Sequence, residues 1–68
     1  MDNDIKDWFI TFGQKSPARN GYVLVRAKNR DRAHQKAMDM FGPDWSMLYD
    51  DTEFEKEYFP AGILGTID

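Results

Sequence analysis

The sequence predicts a small α+β domain: an antiparallel sheet in β-β-α-β order, with one main helix packed on one face. Three observations predict it. Two short runs, 8–12 and 22–27, are aromatic and β-branched, as strands are. A third run, 29–41, places apolar residues at helical spacing between an N-cap and a Gly-Pro stop. The chain has only 68 residues, which makes a single domain spanning 1–68.

The first strand, Trp8-Phe-Ile-Thr-Phe, stops at Gly13. The second, Tyr22 to Ala27, is launched by the turn dipeptide Asn20-Gly21. The polar stretch between them, 13–21, is too broken for a regular element and reads as the mobile tip of an antiparallel hairpin. Asn29 offers an N-cap, and Asp31 sits in the first turn, at the positive end of the helix dipole. Ala33, Ala37, Met40 and Phe41 then share one helix face, and Gly42-Pro43 ends the helix. Trp45 to Tyr49 reads as a short third strand. The acidic stretch 50–57 suits a helical turn begun by Asp51 or Thr52, with Phe54 and Tyr58 one turn apart. Residues 63–67, beyond the break at Pro60, are a candidate further strand.

Composition narrows the function classes. With no cysteine, disulfides and thiolate zinc sites are excluded, and packing alone must hold the fold. No apolar run approaches the roughly 18 residues of a membrane span. The acidic opening, Met1-Asp2-Asn3-Asp4, is unlike a secretory signal, so a cytoplasmic setting is expected. His34 is the single histidine and falls among Arg32, Gln35 and Lys36, which suits an exposed helix residue better than a general base. Ser16 and Ser46 lack a nucleophile motif, and no glycine-rich phosphate loop is present. The expectation is a non-enzyme without metal or cofactor.

Surfaces carry the remaining information. Aromatic residues make up 15% of the chain, which suits either a platform for stacking bases or, more plainly, a tiny domain that needs large side chains to fill its core. Trp8, Ile10 and Phe12 share one strand face, beneath the helix. Phe9 points the other way, and so does either Tyr22 with Leu24 or Val23 with Val25, depending on register; the first pair is taken with Phe9. One helix covers one face, so these three form a candidate interface, and a homodimer through them is expected. The competing expectation is that the carboxy-terminal segment, with Phe59, Ile63 and Leu64, folds back over that face.

Charge is segregated along the chain. The net charge is −3, but residues 14–38 carry +6 and residues 39–68 carry −7. Asp50, Asp51, Glu53, Glu55 and Glu57 form an acidic run that lacks the central glycine of a calcium loop. Carboxylates along a surface imitate phosphates for a basic groove, which makes this run a candidate protein-binding site; a solvated turn is the plainer alternative. Lys15, Arg19, Arg30 and Arg32 are the candidate nucleic-acid contacts of a second reading.

The string Trp8-Phe-Ile-Thr-Phe-Gly-Gln14, the start Asn20-Gly21-Tyr22-Val23, Phe41-Gly42 with Trp45 and Tyr49, and Phe54 with Tyr58-Phe59-Pro60 together form an aromatic and glycine pattern. It resembles small uncharacterised proteins encoded by bacteriophages and prophages, particularly those of actinobacteria. The resemblance runs from about Trp8 to Leu64 and carries no catalytic residue. It implies a phage accessory protein acting in the host cytoplasm. Small size, acidity, the lack of catalytic groups and an uncovered apolar surface point further to a protein that binds a host or phage macromolecule. An inhibitor of a host defence nuclease, of the anti-CRISPR kind, is the subclass that fits the acidic run.

Overall fold

Asn29 starts the helix in the way its side chain allows: its Oδ1 accepts the Arg32 backbone N–H at 2.9 Å. The computed structural model describes residues 5–68; the acidic opening at residues 1–4 lies outside them. In chain order come β1 (Lys6–Thr11), β2 (Gly21–Ala27), α1 (Arg30–Phe41), β3 (Met47–Asp50), a 3₁₀ turn (Lys56–Tyr58) and β4 (Gly62–Ile67). Gly42 ends α1 at φ +61°, a backbone region that costs glycine nothing, and returns its N–H to the Met38 carbonyl.

The α+β architecture is as expected, with one helix on a four-stranded sheet ordered β3-β1-β2-β4. β1 pairs antiparallel with both β2 and β3. The expectation of a wholly antiparallel sheet needs correction, because β4 lies parallel to β2. The cause is topological. β2 and β3 both run opposite to β1, and α1 carries the chain back between them. β4 docks on the far edge in the same direction as β2, so the chain must make a second return, from Asp50 to Gly62.

Cross-strand partners share a face, which divides the sheet cleanly. On the helix side, Trp8, Ile10, Val23, Val25, Ala27 and Leu48 pack against Ala33 and Ala37. Phe12, Phe41, Trp45 and Ile67 close the margins of this core. Trp8 also donates its indole N–H to the Ala27 carbonyl, 3.0 Å away. Ile10 and Val25 are its largest completely buried side chains.

With α1 on one face, the return from β3 to β4 crosses the other face. It lays Phe54 flat on Phe9, with ring centroids 4.6 Å apart and planes 6° from parallel. Phe54 also meets Tyr22 edge-on at 4.8 Å and stacks on Phe59 at 5.1 Å. Phe9 and Tyr22 are consequently buried, at 5% and 7% exposure, and Leu24 is half-buried. The expectation that Phe9, Tyr22 and Leu24 form an uncovered interface is therefore overturned. The covering residues are Phe54 and Phe59. Ile63 and Leu64, expected to help, instead remain exposed on β4. Phe54 and Tyr58 do not share a face either: Tyr58 is 72% exposed, and Phe59 takes the inward place.

β4 is fitted to β2 by one irregularity. Tyr22 pairs with Ile63 but Val23 pairs with Gly65, leaving Leu64 as an inserted residue. The Leu64 side chain lies over Gly21, where a Cβ would come within 2.6 Å of it. Gly21 is thus the second half of a turn dipeptide and also a gap that the bulge fills.

Candidate functional site

The acidic run emerges as the rim of the segment that covers the second sheet face, and its five carboxylates divide into two kinds. Asp50 and Glu53 build the turn at its start. The Asp50 Oδ1 accepts the Thr52 hydroxyl at 2.7 Å and the backbone N–H groups of Thr52 and Glu53 at 2.9 Å each. Glu53 Oε1 accepts the Asp50 N–H at 3.2 Å and lies 3.0 Å from an Arg30 guanidinium nitrogen. These two side chains are occupied within the fold. Asp51, Glu55 and Glu57 are exposed, and among the described residues none has a salt-bridge partner.

The turn has a pH signature. The Thr52 hydroxyl foremost, with help from the N–H groups of Glu53 and Thr52 and the Arg30 charge, holds the Asp50 carboxyl below its ordinary 3.8, against a smaller opposing push from desolvation. A folded-state pKa below the unfolded one stabilises the turn at all higher pH. That contribution is lost as pH falls through the folded value, below 3.8. Thr52→Val removes the leading cause. Titration of the Asp50 carboxyl by NMR is expected to show its pKa rise toward the ordinary value in this variant; an unmoved pKa contradicts the assignment.

Lys56, the one cation of this stretch, lies with its Nζ 5.7 Å from the Phe9 ring centroid. Tyr49, Glu53, Phe54, Glu55, Tyr58 and Phe59 line a shallow cleft of about 230 Å³ on this surface. The site is therefore an aromatic base pinned to the sheet, with three outward carboxylates and an exposed tyrosine on its rim. Sequence reasoning located the carboxylates but missed Tyr58 as a surface residue, because the i, i+4 spacing from Phe54 implied a shared buried face.

The candidate nucleic-acid residues are not brought together. Lys15 and Arg19 lie in the hairpin tip before β2, whereas Arg30 and Arg32 follow its other end. A seven-residue strand separates them by about 20 Å. Arg30 is also engaged: it donates to the Leu48 carbonyl at 3.1 Å, pairs with Glu53 and sits 5.5 Å from the Trp8 ring centroid. The basic side chains that do converge are Lys28, Arg32 and Lys36, around a small cavity with Ile5 and Ala27. Lys36 donates from there to the Arg26 carbonyl at 2.7 Å.

His34 is exposed, as its helix position implied, and its ring meets Trp45 edge-on at 5.3 Å. The Trp45 indole nitrogen is buried without a hydrogen-bond partner among the described residues. No group of three histidine, cysteine, aspartate or glutamate side chains among the described residues is placed to hold a metal ion. No described helix is long and apolar enough to cross a membrane.

No protein-family model, no curated protein and no solved structure matches the chain.

Proposed function

We propose that this chain is a non-enzymatic phage or prophage accessory protein that acts in the host cytoplasm by binding a basic macromolecular surface through the segment 51–58. The reading is carried by one observation: Asp51, Glu55 and Glu57 are exposed and without salt-bridge partners among the described residues, on a backbone that Phe54 and Phe59 anchor to the sheet. Anchoring matters because a pre-ordered segment loses less conformational entropy on binding than a loose acidic loop. The chemistry of the partner follows from the rim. These carboxylates form no salt bridge among the described residues, the neighbouring Lys56 lying over the Phe9 ring, and so suit a groove lined by lysine and arginine; Tyr58 adds apolar area with a polar tip at the contact. A nuclease of a host defence system has such a groove for its nucleic acid, and the chain would occupy it in place of phosphates. This is the anti-CRISPR type of inhibition.

The test is affinity capture from a bacterial lysate with the wild type and with Asp51→Lys/Glu55→Lys/Glu57→Lys. The expected result is a basic-grooved partner retained by the wild type and lost with the variant, which keeps the wild-type fold because all three side chains are exposed. Equal retention by both removes the acidic segment from the interface. For a nucleic-acid-binding module, by contrast, oligonucleotide affinity would fall steeply with salt. The separation of Lys15 and Arg19 from Arg32, and the engagement of Arg30, support no such behaviour here.

A further inference from the structure

The sheet has two edges, and they differ. β3 is four residues long and ends in Asp50, whose side chain turns the chain away at once. Such shortness and charge are ways to discourage edge pairing. β4 has neither. Its six residues, Gly-Ile-Leu-Gly-Thr-Ile, contain no charge and no proline, and among the described residues no strand covers its outer side. It belongs to the longest uncharged run of the chain, residues 58–67, in a protein that is 31% charged as a whole. Ile63 and Leu64 are 52% and 48% exposed there. On the helix side, an apolar groove of about 460 Å³, lined by Phe12, Met40, Phe41, Leu64 and Ile67, runs along the same edge.

We propose that β4 is the seat of a symmetric homodimer, in which the β4 strands of two copies pair antiparallel into one continuous eight-stranded sheet. The inserted Leu64 sets the register. Outward from the Leu64–Gly65 bond, Ile63 and Thr66 pair with Tyr22 and Leu24 on one face, while Gly62 and Ile67 pair with Gly21 and Val25 on the other. A two-fold axis at that bond therefore opposes Ile63 to the partner's Thr66, and Gly62 to the partner's Ile67, each pair on a common face. A second copy is the occupant this edge fits, because an uncharged, proline-free edge strand turned about a two-fold axis offers its unpaired backbone groups to an identical partner. Two chains of net charge −3 repel, and this uncharged edge lets them meet without opposing carboxylates. In the same register Asp68 faces the partner's Ala61. Within each copy the Ala61 N–H donates to the Asn20 carbonyl at 2.8 Å and so leaves the opposite side of the strand to the partner. The two apolar grooves lie on the same side of the joined sheet, flanking the axis. This dimer leaves the segment 51–58 uncovered and would present it twice.

Analytical ultracentrifugation of the full chain is expected to give a dimer for the wild type. Ile63→Lys/Thr66→Lys places like charges directly across the axis at exposed positions and is expected to give a monomer, as is Ile63→Glu/Thr66→Glu. Mixing the two variants is expected to restore a dimer, because each lysine then faces a glutamate; this shows that both variants remain folded. Met47→Lys, on the opposite edge, is expected to stay dimeric. A monomeric wild type, a dimer indifferent to either double variant, or mixed variants that fail to associate would each overturn the proposal.

Discussion

Phe54→Ala is expected to destabilise the domain by about 3 kcal/mol, the lower end of the range for removing a packed phenylalanine. Phe54 is only half-buried, yet its ring touches those of Phe9, Tyr22, Tyr49 and Phe59. Its removal deletes the stacked layer over Phe9 and returns that side chain to water, where each uncovered large apolar residue costs roughly 1.5–3 kcal/mol of burial. A core of this size holds a total of only ~3–5 kcal/mol, so the variant is expected to be largely unfolded at modest temperature. At ~4–8 °C per kcal/mol, its melting midpoint falls by at least about 12 °C. Tyr58→Ala, four residues along the same segment and 72% exposed, is expected to stay within ~0.5 kcal/mol of wild type. Calorimetry of the pair checks the claim. Similar melting temperatures for both variants mean that the segment does not cover the sheet.

Trp8→Ala is expected to have the largest effect, about 3–5 kcal/mol. Trp8 joins the two sides of the molecule. Its ring is 7% exposed in the helix-side core, its indole N–H satisfies the Ala27 carbonyl, and the Arg30 guanidinium sits over it. Arg30 in turn reaches Leu48 and Glu53, so the tryptophan helps to position the turn that begins the acidic segment. Trp8→Phe separates the contributions. It keeps much of the buried area but leaves Ala27 without its donor, a loss of ~1 kcal/mol. Urea unfolding of the two variants is the measurement. A Trp8→Phe protein as unstable as Trp8→Ala would place the weight on the hydrogen bond and not on packing.

Much of the fold is legible in the residues because local rules decide it. Asn29, the spacing of Ala33 and Ala37, and Gly42 define the helix without reference to the rest of the chain. Trp8 and Ile10 facing the helix follows from strand alternation and from α1 coming next in sequence. The direction of β4 is not local. It depends on which edge the last strand takes, and a parallel pair leaves no turn signature in the sequence. A cover over Phe9 that includes Phe59 is one of the two expectations, but the part played by Phe54 follows from β3 and β4 lying on opposite edges, which no local signal gives. Within the acidic run, charge alone does not divide the five carboxylates into turn-builders and free side chains. The short Asp50–Thr52–Glu53 turn was readable in principle from an aspartate two residues before a threonine. The link from Glu53 to Arg30, 23 residues away, was not.

The most direct test of the account is to follow the backbone amides of isotopically labelled protein by NMR while the captured partner is added. Phe54 and Phe59 fix the segment 51–58 on the sheet before any partner arrives. Shift changes are therefore expected to concentrate on Asp51, Glu55, Glu57 and Tyr58, with the amides of β1 and β2 beneath them nearly unmoved. Changes centred on Lys15 and Arg19, or on Lys28, Arg32 and Lys36, with the acidic segment silent, would contradict it.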